Sequence, residues 1–201
     1  MILIILVVFW VVAYIYFHFK SKPDFPHFVP VMIIIGSGGH TTEMLSYVSS
    51  LTKKYQPRTY VIAKTDALSE EKVLNCETRR GILFNIKRIH RAREVRQSFM
   101  SSILSVSVSF LHSLPLVVQC RPKLILCNGP GTCIPVCFVA LLLRVLGLHS
   151  SLIVFVESIC RTKTLSLSGK ILYYTRLVDI IVQWPELKTK YPRSVYLGLL
   201  S

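Results

Sequence analysis

Short apolar runs recur along this chain, and most are followed by a helical stretch. That alternation constrains the fold more than any other feature. Residues 31–35 are β-branched or apolar and run straight into Gly36. Residues 59–63, 124–127, 152–156 and 179–183 read as further strands, and 82–89 as one with looser alternation. Residues 41–54 form a helix with Met44, Leu45, Val48 and Leu51 on one face. Residues 68–75 read as a short charged helix, 94–119 as a long helical region interrupted near Pro115, and 134–148 as a strongly apolar helix. Strand, helix, strand in repetition predicts right-handed crossovers and a mainly parallel, Rossmann-like α/β sheet covered on both faces. Strands buried on both faces should be continuously apolar, as most of these are. No second set of strands follows Gln183, so one domain is expected.

The first seventeen residues carry no charge, no glycine and no proline. As a helix, seventeen to nineteen residues span roughly 26 to 28 Å, close to a thin bilayer core of about 27 Å. Trp10, Tyr14 and Tyr16 sit in the second half, Lys20 and Lys22 follow, and Pro23 and Pro26 end the run. A cleaved signal peptide fits less well, because no basic residue precedes the run and no A-x-A site closes it. The expected organisation is an anchor at 1–19, a linker at 20–29, a Rossmann-like domain at 30–193 and a tail at 194–201. Both lysines lie after the span, so the N-terminus is expected in the lumen and the main domain in the cytosol. None of the three asparagines stands in an N-x-S/T acceptor. The stretches 103–118 and 134–148 are nearer the length of core helices than of spans; helices dipping into the bilayer interface are the second reading.

Twenty-four Lys and Arg against ten Asp and Glu give a net charge of +14. A basic surface held near anionic headgroups, or a phosphate-bearing substrate, would explain it. Nucleic acid is not expected, because no zinc-finger, helix-turn-helix or basic-zipper pattern is present and the anchor argues against it. The six cysteines include no C-x-x-C pair, and Cys127, Cys133 and Cys137 lie in or beside an apolar run. They read as reduced core residues, with no metal site.

Chemistry in a parallel α/β sheet gathers at the carboxyl ends of its strands. After the first strand stand Gly36, Ser37, Gly38, Gly39, His40 and Thr41. A glycine-rich turn opening a helix is a phosphate or pyrophosphate cradle in form. It lacks the third glycine of the dinucleotide fingerprint and the G-K-S/T of a Walker loop. His40 could bind an anion or accept a proton from a hydroxyl; in a plain structural turn it would only cap the helix. After the fourth strand come Asn128, Gly129, Pro130 and Gly131, a second such turn. Glu157 ends the fifth strand, placed to receive sugar hydroxyls or assist His40, or merely to cap a helix or pair with Arg161. Trp184 and Glu186 follow the sixth, where a packed Trp before a Pro-started helix is the plainer reading. Asp66, after the second strand, would read a ribose if the chain were a nucleotide-dependent oxidoreductase.

These segments, in this order, resemble the membrane-anchor subunit family of the heterodimeric endoplasmic-reticulum UDP-N-acetylglucosamine transferase. That enzyme adds the second GlcNAc to the dolichol-pyrophosphate-linked N-glycan precursor. The resemblance rests on GSGGHTTEM at 36–44, LCNGPGTCIP at 126–135, VESICR at 156–161, LSLSGKILYY at 165–174 and VQWPELKTKYPRSVYLG at 182–198. The family is also similar to the amino-terminal half of the bacterial cell-wall GlcNAc transferase, a GT-B enzyme. The resemblance implies that Gly36, Ser37, Gly38, Gly39, Thr41, Asn128, Gly129 and Gly131 address the acceptor's pyrophosphate. It implies that His40 and Glu157 are the catalytic candidates. It implies a small cytosolic partner that brings the UDP-GlcNAc donor and docks partly on Tyr196, Leu197, Leu199 and Leu200. The chain itself would bind no cofactor and be inactive alone. The preceding and following enzymes of the pathway are further candidate partners. A pure membrane scaffold stays open as an alternative, as does divalent-metal assistance to UDP departure.

Overall fold

The computed structural model describes residues 27–89, 99–129 and 131–200. The expected anchor at 1–19 lies outside them, as do most of the linker and Pro130. Among the described residues no helix is long and apolar enough to cross a membrane.

Seven strands form one sheet: β1 Val31–Ile34, β2 Arg58–Ala63, β3 Phe84–Ile89, β4 Leu124–Asn128, β5 Leu152–Val156, β6 Asp179–Val182 and β7 Val195–Tyr196. Their order is β3-β2-β1-β4-β5-β6-β7. Every pairing is parallel. The chain starts in the middle, winds outward to β3, and returns to lay β4 against the other side of β1. The order therefore reverses between β1 and β4, where a parallel sheet leaves a crevice at its carboxyl edge. Ile34 of β1 is in register with Cys127 of β4, which brings the two glycine turns side by side.

Alternate residues of each strand serve opposite faces. Met32, Ile34, Val61, Ile125, Ile153 and Phe155 pack under α3 Phe99–Cys120, α4 Cys133–Val145, α5 Leu167–Thr175 and α6 Pro185–Lys190. Val31, Ile33, Ile35, Tyr60 and Ile62 pack under α1 Gly39–Ser49 and α2 Ala67–Thr78 through Met44, Val48 and Val73. Strands β1 and β2 are buried throughout, whereas the edge strand β3 alternates, so its pattern was the loosest.

Four details differ from the sequence reading. Helix α1 stops at Ser49, five residues short, where its last carbonyls, those of Val48 and Ser49, accept from Arg80 at 3.2 and 2.7 Å. Helix α3 runs through Pro115 without interruption. Pro115 lies on the exposed side, where the carbonyl one turn back can bond to water. Helix α5 was not foreseen; Ser166 caps it, its hydroxyl accepting from Gly169 N at 3.0 Å. Strand β7 adds the tail to the sheet edge: Tyr196 is in register with Val182, and Leu200 N donates to Gln183 Oε1 at 2.9 Å.

Both stretches weighed as interfacial pack on the sheet. Val117, Val118, Val136, Val139 and Leu143 are fully buried, while Phe138, Leu142, Val145 and Leu146 of α4 and the turn after it face outward. Cys127, Cys133 and Cys137 are core residues, as the sequence suggested, with 3.7 Å between the sulfurs of Cys127 and Cys137.

Candidate functional site

The crevice over β1 and β4 opens into a cleft of about 470 Å³, lined by Gly39, His40, Glu43, Gly129, Glu157, Ser158, Cys160, Arg161 and Ser166. The backbone there is shaped by two left-handed glycines. Gly38 (φ 67°) turns the chain into α1, and Gly129 (φ 70°) turns it after β4. A Cβ at Gly129 would lie 2.4 Å from the His40 ring, so only glycine lets that ring close over the second loop. Neither Gly38 nor Thr132, the residues before α1 and α4, makes a side-chain cap. Two helix starts at the sheet's carboxyl edge thus keep first-turn N–H groups uncovered by side chains, a favourable setting for a phosphate.

The residues expected to hold the acceptor divide into two kinds. Ser37, Gly38 and Gly39 are exposed, and Gly129 and Gly131 half-buried, so their backbone is within a ligand's reach. Thr41 is buried and instead ties the loop down: its hydroxyl donates to the Gly36 carbonyl and lies 2.7 Å from Ser69 Oγ. Asn128 is 1% exposed, and its side chain is engaged from both ends. Its Oδ1 is 2.9 Å from His40 Nδ1, and its Nδ2 donates to Glu43 Oε2 at 2.7 Å. Ser158 Oγ donates to Glu43 Oε1 at 2.8 Å. The carboxylate linked to His40 is therefore that of Glu43, which the sequence reading missed. The signal was His40 and Glu43 three apart on one helix, which places both on the same face.

Glu157 also lines the cleft but is fully buried, and its oxygens are bound elsewhere. Ser166 N and Oγ donate to Oε2 at 2.8 and 3.0 Å, and Ser158 N donates to Oε1 at 3.3 Å. Its backbone is pinned as well, since Glu157 N donates to Ile181 O and Gln183 Nε2 donates to Glu157 O. Glu157 thus joins the 157–169 loop to the cap of α5. Gly169 makes room for it, because a Cβ there would meet Oε2 at 2.5 Å. Trp184 Nε1 donates to Ile159 O at 2.7 Å and steadies the same loop, while Pro185 opens α6. Asp66 caps α2 through Ser69 N and Oγ, the ordinary duty of such a residue.

Burial raises the Glu157 carboxyl above its ordinary value of 4.5, against the smaller downward pull of the Ser166 and Ser158 donors and Arg161. The folded chain holds that proton more tightly than the unfolded one. Stability contributed by the protonated form is then present below the unfolded value and lost as pH climbs to the raised one. Glu157→Gln keeps an acceptor for Ser166 and has no charge to desolvate. Urea denaturation at several pH values should find the variant gaining on the parent chain as pH rises from about 4.5. Parallel stability curves would contradict this assignment.

In the tail, Tyr196, Leu197 and Leu199 remain exposed, whereas Leu200 is partly buried against the core layer under α1 and α2. Among the described residues no group of three or more His, Cys, Asp or Glu is placed to hold a metal ion.

The family model described as "Oligosaccharide biosynthesis protein Alg14 like" matches residues 31–200. The UDP-N-acetylglucosamine transferase subunit ALG14 of Mus musculus is 52% identical over 178 residues, covering 84% of this chain and 81% of that protein. The subunits of the same name in Homo sapiens and Schizosaccharomyces pombe are 50% and 40% identical, over 84% and 90% of this chain and 81% and 87% of theirs. Among solved structures, Acinetobacter baumannii MurG superposes with a TM-score of 0.56 at 16% identity, over 78% of this chain. A UDP-N-acetylglucosamine 2-epimerase gives 0.51 at 12%, over 81% of this chain. The chain spans only 42% of each of those two, and at such identities they speak for the fold alone. From the family match and the relatives, the chain belongs to the Alg14-like family of oligosaccharide biosynthesis proteins.

Proposed function

We propose that this chain is the membrane-anchoring, acceptor-binding subunit of a UDP-GlcNAc transferase that adds the second GlcNAc to GlcNAc-pyrophosphoryl-dolichol. The observation that carries the reading is the convergence, at the β1/β4 crevice, of two glycine turns, two helix starts without side-chain caps, and His40 between them. The turns receive the acceptor's pyrophosphate through backbone N–H groups, and Arg161 lines the same cleft. His40 Nε2 takes the proton of the attacking sugar hydroxyl. The hydroxyl oxygen bonds to the donor's anomeric carbon as that carbon's bond to the UDP oxygen breaks, its electron pair leaving with UDP. Positioning and electrostatic stabilisation supply much of the rate.

The donor site belongs to a cytosolic partner. Support comes from the relatives' name, which is that of a subunit. The exposed apolar edge at Tyr196, Leu197 and Leu199 is the surface assigned to that partner. In this reading the domain sits at the cytosolic face of the endoplasmic-reticulum membrane with the N-terminus in the lumen, a proposal supported by the apolar residues 1–17, by Lys20 and Lys22 after them, and by the charge of +14. The outward stripe Phe138, Leu142, Val145 and Leu146, with Arg144 beside it, then lies toward the bilayer. The test is transfer of GlcNAc to a short dolichol-type pyrophosphate acceptor by this chain with and without its candidate partner. Activity is expected only from the pair; robust transfer by the chain alone would overturn the half-enzyme reading.

A further inference from the structure

We infer that Glu43, acting through Asn128, fixes which nitrogen of His40 carries the proton, making Glu43 and Asn128 positioning residues of the site. The inference rests on the reading that His40 accepts a proton.

An ionised carboxylate only accepts, so the Asn128 atom 2.7 Å from Glu43 Oε2 must be the amide nitrogen. Turning the amide over would set oxygen against oxygen at that distance. The Asn128 atom facing His40 is then the carbonyl oxygen, which also only accepts. The His40 nitrogen 2.9 Å away, Nδ1, must therefore carry the hydrogen. In the neutral ring this leaves the lone pair on Nε2, which makes no hydrogen bond among the described residues. Glu43 is held from its far side by Ser158 Oγ at 2.8 Å. Ser158 follows β5, Asn128 ends β4, and Glu43 and His40 share α1, so three elements lock one ring. Glu43 and Asn128 are 9% and 1% exposed, so water competes little for these bonds.

Without Glu43 the Asn128 amide is free to turn over. Its NH₂ would then donate to Nδ1, move the ring hydrogen to Nε2 and remove the lone pair the reaction needs. The imidazole nitrogens of the full chain are read by ¹⁵N NMR with labelled histidine, His40 being assigned by its loss in His40→Ala. The same chains are assayed with the partner. Wild type is expected to show hydrogen on Nδ1 alone. Glu43→Ala and Asn128→Leu should show mixed tautomers, with kcat lowered about 10- to 100-fold and the acceptor KM changed less than about twofold. Glu43→Gln, which keeps an acceptor for Asn128, should fall between, and it gives a reading if either harsher variant fails to fold. A wild-type ring protonated on Nε2, or variants with an unchanged tautomer, would overturn the inference. Scrambled tautomers beside normal turnover in His40→Ala would uphold the Glu43–Asn128 link while removing the proton-acceptor reading.

Discussion

Turnover by the assembled enzyme is expected to fall about 10²- to 10⁴-fold in His40→Ala, the range that a positioned general base contributes. The ring stands between the two glycine turns, held through Nδ1 by Asn128, with Gly129 packed against it. Loss of the ring removes the proton acceptor without touching either turn's backbone. Partner binding, membrane association and thermal stability should therefore stay near those of the parent chain. Gly129→Ala reaches the same end by another route. Its methyl would displace the ring, and a side chain at φ 70° adds strain of about 1–2 kcal/mol. That variant should lose both activity and stability, which separates the two substitutions. Full turnover in His40→Ala would favour a scaffold that contributes no active-site group.

The largest effect on stability is expected far from the cleft. Arg58 and Glu77 are both fully buried, with Nη1 donating to Oε1 at 2.9 Å. Tyr60 OH donates to the same oxygen at 2.6 Å, and burial beside that carboxylate pushes the phenol well up, so it remains a donor. The other Arg58 nitrogens donate to the carbonyls of Leu51 and Tyr55 in the loop between α1 and β2. Glu77→Ala leaves a guanidinium with no counter-charge in the core and should cost about 3–5 kcal/mol in urea denaturation. Arg58→Met with Glu77→Leu, which removes both charges, should recover much of that loss. A loss under about 1 kcal/mol in the single variant would mean that water reaches the pair.

What could be read from the residues alone follows from how local each signal is. Strand β5 was expected at its observed bounds, because an apolar run between polar turns carries its own limits. The glycine turns and His40 were legible for the same reason. Helix spacing could have paired Glu43 with His40, whose Nδ1 lies 3.7 Å from Glu43 Oε2, but the bridge through Asn128 was not legible, since Asn128 is 88 residues from His40 and its place depends on Ile34 lying in register with Cys127. Asn128 was read as a ligand for the acceptor, but burial turns its side chain to the protein. Glu157 was read as a group to receive sugar hydroxyls or assist His40, or merely to cap a helix or pair with Arg161; its position beside the cleft was legible, but its bonds to Ser166 depend on how 158–166 folds back. Strand β7 has two residues, too few for any periodicity.

For the proposed function to hold, the glycine-lined turns must grip the doubly phosphorylated head of a lipid acceptor. The direct measurement is a titration of the ¹⁵N-labelled chain, in complex with its partner, with a short-chain polyprenyl pyrophosphoryl GlcNAc. The backbone amide signals of Gly38, Gly39, Gly129 and Gly131 are expected to move together along one saturable curve, and inorganic sulfate should reproduce little of it. Unmoved amides in a folded complex at saturating ligand would contradict the account.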